Sequence, residues 1–363
     1  MNANLSVRIE ESLSARFVKC VEIARIIALA IESGKNMLLW GPGGHGKSEM
    51  VQLALSLVAA EDSVFVQSFG EGMDEATLWG GLDFAALEKE KVLRYFPDQS
   101  FLAKPYAVFE EIFDAPASVL LALKDTLTAH KLRKGSQVFA MKTKVIIAIT
   151  NRDPKELVEM GPAAAALIER FPLQLNVKWP SYTARDYLEL FSKVEPFLAG
   201  ANLNGTKGVL AEVMGKASED GEPVSPRTAV HALGIVKAAA GMRGSAVVER
   251  NDLLDLCFLP GMEQFAVNLK QELDAAFERA AAESRMMAAE AKLRELLGEL
   301  DEARRAASPI KLLQIAKRLV AFADEVASLK VTDSFTDRRK KMRDSVNEKA
   351  AEAQRLALET TRI

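Results

Sequence analysis

Cysteine is nearly missing: Cys20 and Cys257 are the only two in 363 residues. Two thiols cannot staple a fold, so a disulfide framework is excluded and reduced thiols in a cytosolic compartment are expected. Charge of one sign is missing as well. The chain has 47 basic and 50 acidic side chains, a formal net charge of −3, which argues against binding nucleic acid through bulk basicity. No apolar run approaches the ~20 residues that span a bilayer; the most apolar stretches are broken by Arg25, Glu32 and Gln52. The first residues, with Arg8, Glu10 and Glu11, lack the charged-then-apolar profile of a secretory signal. No repeat recurs at a fixed period. These absences predict a soluble cytoplasmic protein. The composition, 49% hydrophobic and 27% charged, is that of a globular chain, and the length suits two or three domains.

Apolar positions at helical spacing run over 15–33 and stop at Gly34. Short apolar runs at 36–40, 64–67, 107–109, 145–149 and 173–177 read as buried strands, with helical stretches at 47–60 and 117–129 between them. Strands alternating with helices predict a parallel α/β sheet covered on both faces. Residues 184–258 read as helices joined by turns at Gly200, Gly205, Gly221, Pro223 and Pro226, a smaller all-helical domain. Residues 262–363 hold 37 of the chain's 97 charged side chains but only Gly298 and Pro309 of its 34 glycines and prolines. This pattern predicts two or three long amphipathic helices forming a hairpin or coiled-coil-like bundle. The expected domains are therefore 1–183, 184–261 and 262–363.

The sharpest motif is Gly41-Pro-Gly-Gly-His-Gly-Lys-Ser48, which fits G-x-x-x-x-G-K-[ST] between a predicted strand and a predicted helix. Glycines at Gly41, Gly43, Gly44 and Gly46 let backbone N–H groups converge on phosphate oxygens, and the helix N-terminus adds a favourable dipole. Lys47 is expected to neutralise the β- and γ-phosphates and Ser48 to offer its hydroxyl to Mg²⁺. His45 and Glu49 complete the set of residues expected to line the nucleotide, His45 as a tolerated side chain rather than a catalyst. A second signal is Tyr106-Ala-Val-Phe-Glu-Glu-Ile112, two acids at the end of an apolar strand. Ligands of open α/β sheets sit at the carboxyl ends of strands. There one acid can hold Mg²⁺ through water and the next can polarise the attacking water.

With these motifs, residues 15–258 resemble the MoxR branch of the AAA+ ATPases, and the motifs follow in the family's order. The phosphate loop is followed by Glu110-Glu111-Ile112-Phe-Asp-Ala115-Pro116, where the family has Asp-Glu-Ile-x-x-Ala-Pro. The resemblance implies that Glu111 is the catalytic carboxylate. It also implies that Glu110 stands where the family carries the aspartate on the metal side, one methylene longer. Asn151, after the strand 145–150, matches the polar sensor 1. Leu167-Ile-Glu-Arg170-Phe171 matches the arginine-finger motif, with Glu169 in place of aspartate. Ser225-Pro226-Arg227 matches sensor 2 in the lid. Segment 70–101 resembles the family's helix 2 insert. Segment 131–144 resembles its hairpin before sensor 1, whose Lys131, Arg133, Lys134, Lys142 and Lys144 either face a central pore or form a solvated charged hairpin.

The resemblance implies an ATP- and Mg²⁺-dependent ATPase active as a ring, most simply a hexamer. In such a ring Arg170 serves a neighbour's site, an arginine supplied in trans being worth roughly 10³–10⁵ in rate. It further implies a partner carrying a von Willebrand factor A domain and a protein client. Two other functions stay open: a nucleic-acid remodelling motor, and a slow nucleotide-gated scaffold, which Glu110 would suit. Residues 262–363 lie outside the resemblance. They fit a ring-stabilising appendage, a docking arm or, through the Arg338–Lys341 cluster, a nucleic-acid arm.

Overall fold

The computed structural model describes residues 4–134, 137–179 and 181–361. The chain forms two compact units, Met1–Glu263 and Gln264–Ile363.

The first unit opens with helix α1, Leu5–Ser14, and α2, Val21–Ser33. A single helix over 15–33 is expected from periodicity, but Lys19 adopts a left-handed conformation (φ 58°) that a right-handed helix does not accommodate. Its ammonium is held by Asp186 Oδ2 at 2.7 Å and Ser181 O at 3.2 Å, so the helix begins two residues later. Strand β1, Met37–Trp40, leads into α3, Lys47–Ser56, shorter than the expected 47–60. Then come β2, Val64–Ser68; two short helices, α4, Glu75–Leu78, and α5, Phe84–Glu90; and β3, Tyr106–Glu110. Helix α6, Ala117–Ala129, precedes an antiparallel hairpin of β4, Lys131–Lys134, and β5, Gln137–Ala140. The core is completed by β6, Val145–Thr150; α7, Pro154–Glu159; α8, Pro162–Ile168; and β7, Leu173–Asn176.

Strands β2, β3, β6, β1 and β7 lie side by side in that order as one parallel sheet. Alternation of side chains sends Leu38, Phe109, Ile146 and Ala148 to one face, where they pack with Val119, Leu123 and Leu167 from α6 and α8. Met37, Leu39, Val108, Ile147 and Ile149 go to the other, against Ile9, Ile23, Ile27 and Val51 from α1, α2 and α3. Both faces are thus covered, as a parallel sheet requires, and all six residues of β6 are buried.

The two inserted segments touch. Lys134 of β4 is ion-paired with Glu75 of α4, and Gln137 Nε2 donates to Leu93 O at 3.1 Å. Residues 135 and 136 of the expected hairpin lie outside the described residues. Arg133, Lys142 and Lys144 are exposed.

Helices α9, Ala184–Val194, α10, Thr206–Glu219, and α11, Pro226–Met242, follow the sheet, then a 3₁₀ stretch over Arg250–Phe258. Thr183 starts α9 with a capping box: its hydroxyl accepts from the Asp186 N–H, and the Asp186 carboxylate accepts from the Thr183 N–H at 2.8 Å. Helices α9 and α10 meet at Gly215, where a Cβ would stand 2.5 Å from the backbone nitrogen of Ala184. Alanine is the better helix former by about 1 kcal/mol. Gly215→Ala is nevertheless expected to destabilise the fold by about 1–3 kcal/mol, because backbone cannot yield as a side chain can. Chemical denaturation measures this, and a stabilised variant would contradict it.

The second unit is formed by α12, Glu263–Arg305; α13, Pro309–Ser328; and α14, Asp333–Thr361. Leu296, Leu300, Leu312, Ile315, Leu319, Phe322, Val346 and Ala353 share one core, so the long helices form a three-helix bundle. Arg338 pairs with Glu290 at 2.6 Å, and Arg339 donates to Leu329 O at 2.8 Å. Half of the four-residue basic run at 338–341 is therefore committed within the bundle.

Candidate functional site

The strand order reverses between β6 and β1. Strand β1 is followed in sequence by β2 at the far edge, and β6 and β7 lie on either side of β1. Crevices at such switch points are where open α/β sheets bind ligands, and every group described next lies at this end of the sheet. The loop 41–46 leaves β1 and closes on the N-terminus of α3, whose first residue is Lys47. Gly44 adopts φ +81°, and a Cβ there would lie 2.8 Å from Ser225 Oγ. The same residue accepts, through its carbonyl, the backbone N–H of Arg227 at 2.9 Å. Ser225 caps α11 by accepting from the Thr228 N–H at 3.1 Å. The start of α11 is thus docked on the loop through a glycine that leaves it room.

Lys47 is only 5% exposed. Its ammonium donates to Gly41 O at 2.6 Å, Pro42 O at 2.8 Å and Asn151 Oδ1 at 2.8 Å. Burial pulls its pKa down to about 8; the nearby Glu111 carboxylate opposes this and Arg227 reinforces it. Glu111, the residue after β3, adopts a left-handed conformation (φ 52°). Asn151 holds both of its carboxylate oxygens: its N–H donates to Oε2 at 3.0 Å and its side-chain amide to Oε1. Burial raises the Glu111 pKa, against the pull of the Asn151 N–H. Asn151 sits here because β6 runs between β3 and β1. It therefore bridges Lys47 and Glu111 with one side chain.

A cavity of about 570 Å³ is lined by residues 43–49 of the loop and α3, together with Glu111, Asn151 and Arg227. This is the size of an ordinary small-molecule site. The His45 ring stacks on Trp179, centroids 4.6 Å apart and planes 10° apart. Burial lowers the His45 pKa, against the pull of the Gly43 carbonyl, and so favours the neutral ring.

Three expected site residues, Gly41, Glu110 and Arg170, do not line this cavity. The Gly41 carbonyl accepts from Lys47. Glu110, the last residue of β3, accepts a hydrogen bond from Ser68 Oγ at 3.0 Å. Arg170 donates from Nε to Thr128 Oγ1 at 2.9 Å and pairs with Glu169 at 3.1 Å. Conversely, Arg16, Phe17, Lys193, Phe197 and His231 line the cavity and carry no motif. Arg16 pairs with Glu49 at 3.0 Å and lies over the Phe197 ring at 5.3 Å. The periodic pattern places Phe17 in a helix, whereas it lies in the connection between α1 and α2.

A five-stranded parallel sheet of this order, with a glycine-rich loop leaving the interior strand β1 for a helix, is the AAA+-like P-loop core. Residues 4–190, just over half of the chain, match the family described as the MoxR domain in the MoxR-vWA-beta-propeller ternary systems. The chain belongs to the MoxR family of AAA+ ATPases, a family that binds nucleotide. Among solved structures it is similar to a putative ATPase from Cytophaga hutchinsonii, with 15% identity over 74% of this chain and 94% of that one and a TM-score of 0.38. It is also similar to Hsp104 of S. cerevisiae in the extended complex with casein, with 14% identity over 67% of this chain and a TM-score of 0.50. The chain spans 48% of that Hsp104 chain, and at this identity the likeness speaks for the fold alone. No curated protein matches the chain. Among the described residues no helix is long and apolar enough to cross a membrane.

Proposed function

We propose that this chain is a ring-forming ATPase that couples ATP hydrolysis to remodelling of a protein partner, and that the partner carries a von Willebrand factor A domain. The observation that carries the reading is the convergence of Lys47, Glu111, Asn151 and Arg227 on one cavity in a MoxR-family chain. The partner is suggested by the ternary systems that give the matched domain its description.

In this reading residues 1–183 hold the nucleotide, 184–261 act as the lid and 262–363 form an arm. Backbone N–H groups of 43–46 and the N-terminus of α3 receive the phosphates. Lys47 exchanges its loop carbonyls for β- and γ-phosphate oxygens. Glu111 orients and polarises the attacking water, with Asn151 fixing the carboxylate. Arg227 meets the γ-phosphate from α11, and its own N–H on Gly44 ties the lid to the loop. Arg170 serves the site of the next subunit in a hexameric ring.

Among the described residues no cluster of three or more histidine, cysteine or acidic side chains could cage a metal ion. A Mg²⁺ brought in by the nucleotide needs only one or two protein oxygens; Ser48 on the cavity wall would offer its hydroxyl, and Glu110, outside the lining, would reach the ion through water. The ion would neutralise charge on the β- and γ-phosphates.

The test is steady-state ATP turnover by the purified chain, together with capture of a von Willebrand factor A protein by the Glu111→Gln form in ATP. Tight ATP binding without turnover in any oligomeric state would favour the scaffold reading. Salt-sensitive stimulation by DNA would favour a nucleic-acid motor.

The lowered Lys47 pKa makes a further prediction. Phosphate favours the ammonium, so the bound complex holds this proton to a higher pH than the free site, where it leaves near pH 8. ATP binding is therefore expected to take up a proton above pH 8 and to weaken as pH rises further. Calorimetry in buffers of unlike ionisation enthalpy reads the uptake directly. Equal enthalpies in those buffers at pH 8.5 would refute it.

A further inference from the structure

We propose that Ser68 is a positioning residue for Glu110, holding a carboxylate that is one methylene longer than the family's aspartate where it can serve the metal. The inference rests on the ATP–Mg²⁺ reading above. Ser68 is the last residue of β2 and lies in register with Glu110, the last residue of β3. The ladder continues past both residues, because Phe69 N donates to Glu110 O at 2.9 Å. The backbone beneath the pair is thus fixed on both strands. Neighbouring strands lie about 4.8 Å apart, so side chains in register stand beside each other. Ser68 Oγ donates to Glu110 Oε2 at 3.0 Å.

The chemistry gives this contact a purpose. A glutamate has one more rotatable bond than an aspartate, and its carboxylate samples more positions unless something orders it. A hydroxyl donating to an ionised carboxylate is among the stronger side-chain hydrogen bonds. With Oε2 accepting from Ser68, the carboxylate is oriented and Oε1 keeps both of its acceptor sites for metal-bound water. The motif's departure from aspartate and the serine on the adjacent strand are thus two parts of one arrangement. Ser68 touches neither nucleotide nor reacting atoms in this scheme; it acts only through Glu110.

The test compares the Mg²⁺ dependence of binding of a fluorescent ATP analogue to the full chain and its variants, with thermal unfolding as a control on folding. Ser68→Ala is expected to raise the half-saturating Mg²⁺ concentration about three- to tenfold. Affinity for the analogue in EDTA should be unchanged. Ser68→Thr, which keeps the hydroxyl, should stay within about twofold of the parent. In a Glu110→Gln background, Ser68→Ala should add nothing, since no carboxylate remains to be placed. A parent chain that responds to Mg²⁺ beside an equally responsive Ser68→Ala overturns the proposal alone. So does an equal shift in the Glu110→Gln background. A parent chain whose binding of the analogue ignores Mg²⁺ overturns the ATP–Mg²⁺ reading and this proposal with it.

Discussion

Glu111→Gln is expected to keep ATP and to lose turnover by about 10²–10⁴-fold, the usual contribution of a positioned general base. The amide retains the size of the side chain and can still accept from the Asn151 N–H that now reaches Oε2 at 3.0 Å. It cannot take a proton from water. In the proposed reading nucleotide affinity rests on the loop and Lys47, which the change leaves in place, and what it removes there is the Coulomb pull of Glu111 on the ammonium. Binding measured with a fluorescent ATP analogue should therefore change little while single-turnover hydrolysis collapses. Loss of both together would mean that Glu111 builds the loop rather than the reaction.

The backbone at this position separates catalysis from stability. A non-glycine residue at φ 52° carries about 1–2 kcal/mol of strain that glycine does not. Glu111→Gly should thus be more stable than Glu111→Ala by about 1 kcal/mol in chemical denaturation, although both lack turnover. Strain at this residue turns its carboxylate out of the strand and toward Asn151, so it belongs to the site. Equal stability of the two variants would remove that argument.

What the sequence discloses and what it conceals follow from how local each feature is. The sheet is legible because every strand buried on both faces must be a short, nearly continuous apolar run, as at Val145–Thr150. The loop is legible because phosphate recognition by backbone forces glycines at fixed spacing, whatever the rest of the chain does. Helix periodicity misleads at 15–33. Phe17 and Val21 keep a helical spacing, but the tertiary anchor of Lys19 on Asp186, 167 residues away, decides where the helix begins. The cavity residues Arg16, Lys193, Phe197 and His231 escape notice for the same reason, since each is brought in by an element that looks like ordinary amphipathic helix or loop. Ser68 escapes it because a serine ending a strand carries no motif, and only the register with Glu110 gives it a partner. The bundle of α12–α14 is legible as helix and opaque as function: some of its interleaved charges pair with each other, as Lys292 does with Glu325 at 2.6 Å, and their pattern forms no motif that says what it meets.

Arg170→Ala is expected to lower turnover by about 10³-fold or more in the assembled form, with nucleotide binding retained. The guanidinium does not line the cavity of its own chain. It is held by Thr128 at the end of α6 and by Glu169, with its side chain 30% exposed. If Arg170 acts on ATP at all, it acts on that of another subunit. The mixing experiment isolates this. Lys47→Ala destroys a subunit's own site but leaves its arginine intact, whereas Arg170→Ala does the reverse. Each alone is inactive. Mixed in equal amounts before assembly, about one interface in four pairs an intact Lys47 site with an intact Arg170 from its neighbour, and activity should reappear in that proportion. The alternative is an exposed Arg170–Glu169 pair that contributes at most about 1 kcal/mol to stability and nothing to rate. It requires that Arg170→Ala alone hydrolyse ATP at the parent rate. The two outcomes differ by three orders of magnitude, so one assay at fixed subunit concentration decides whether the site is completed within the chain or between copies of it.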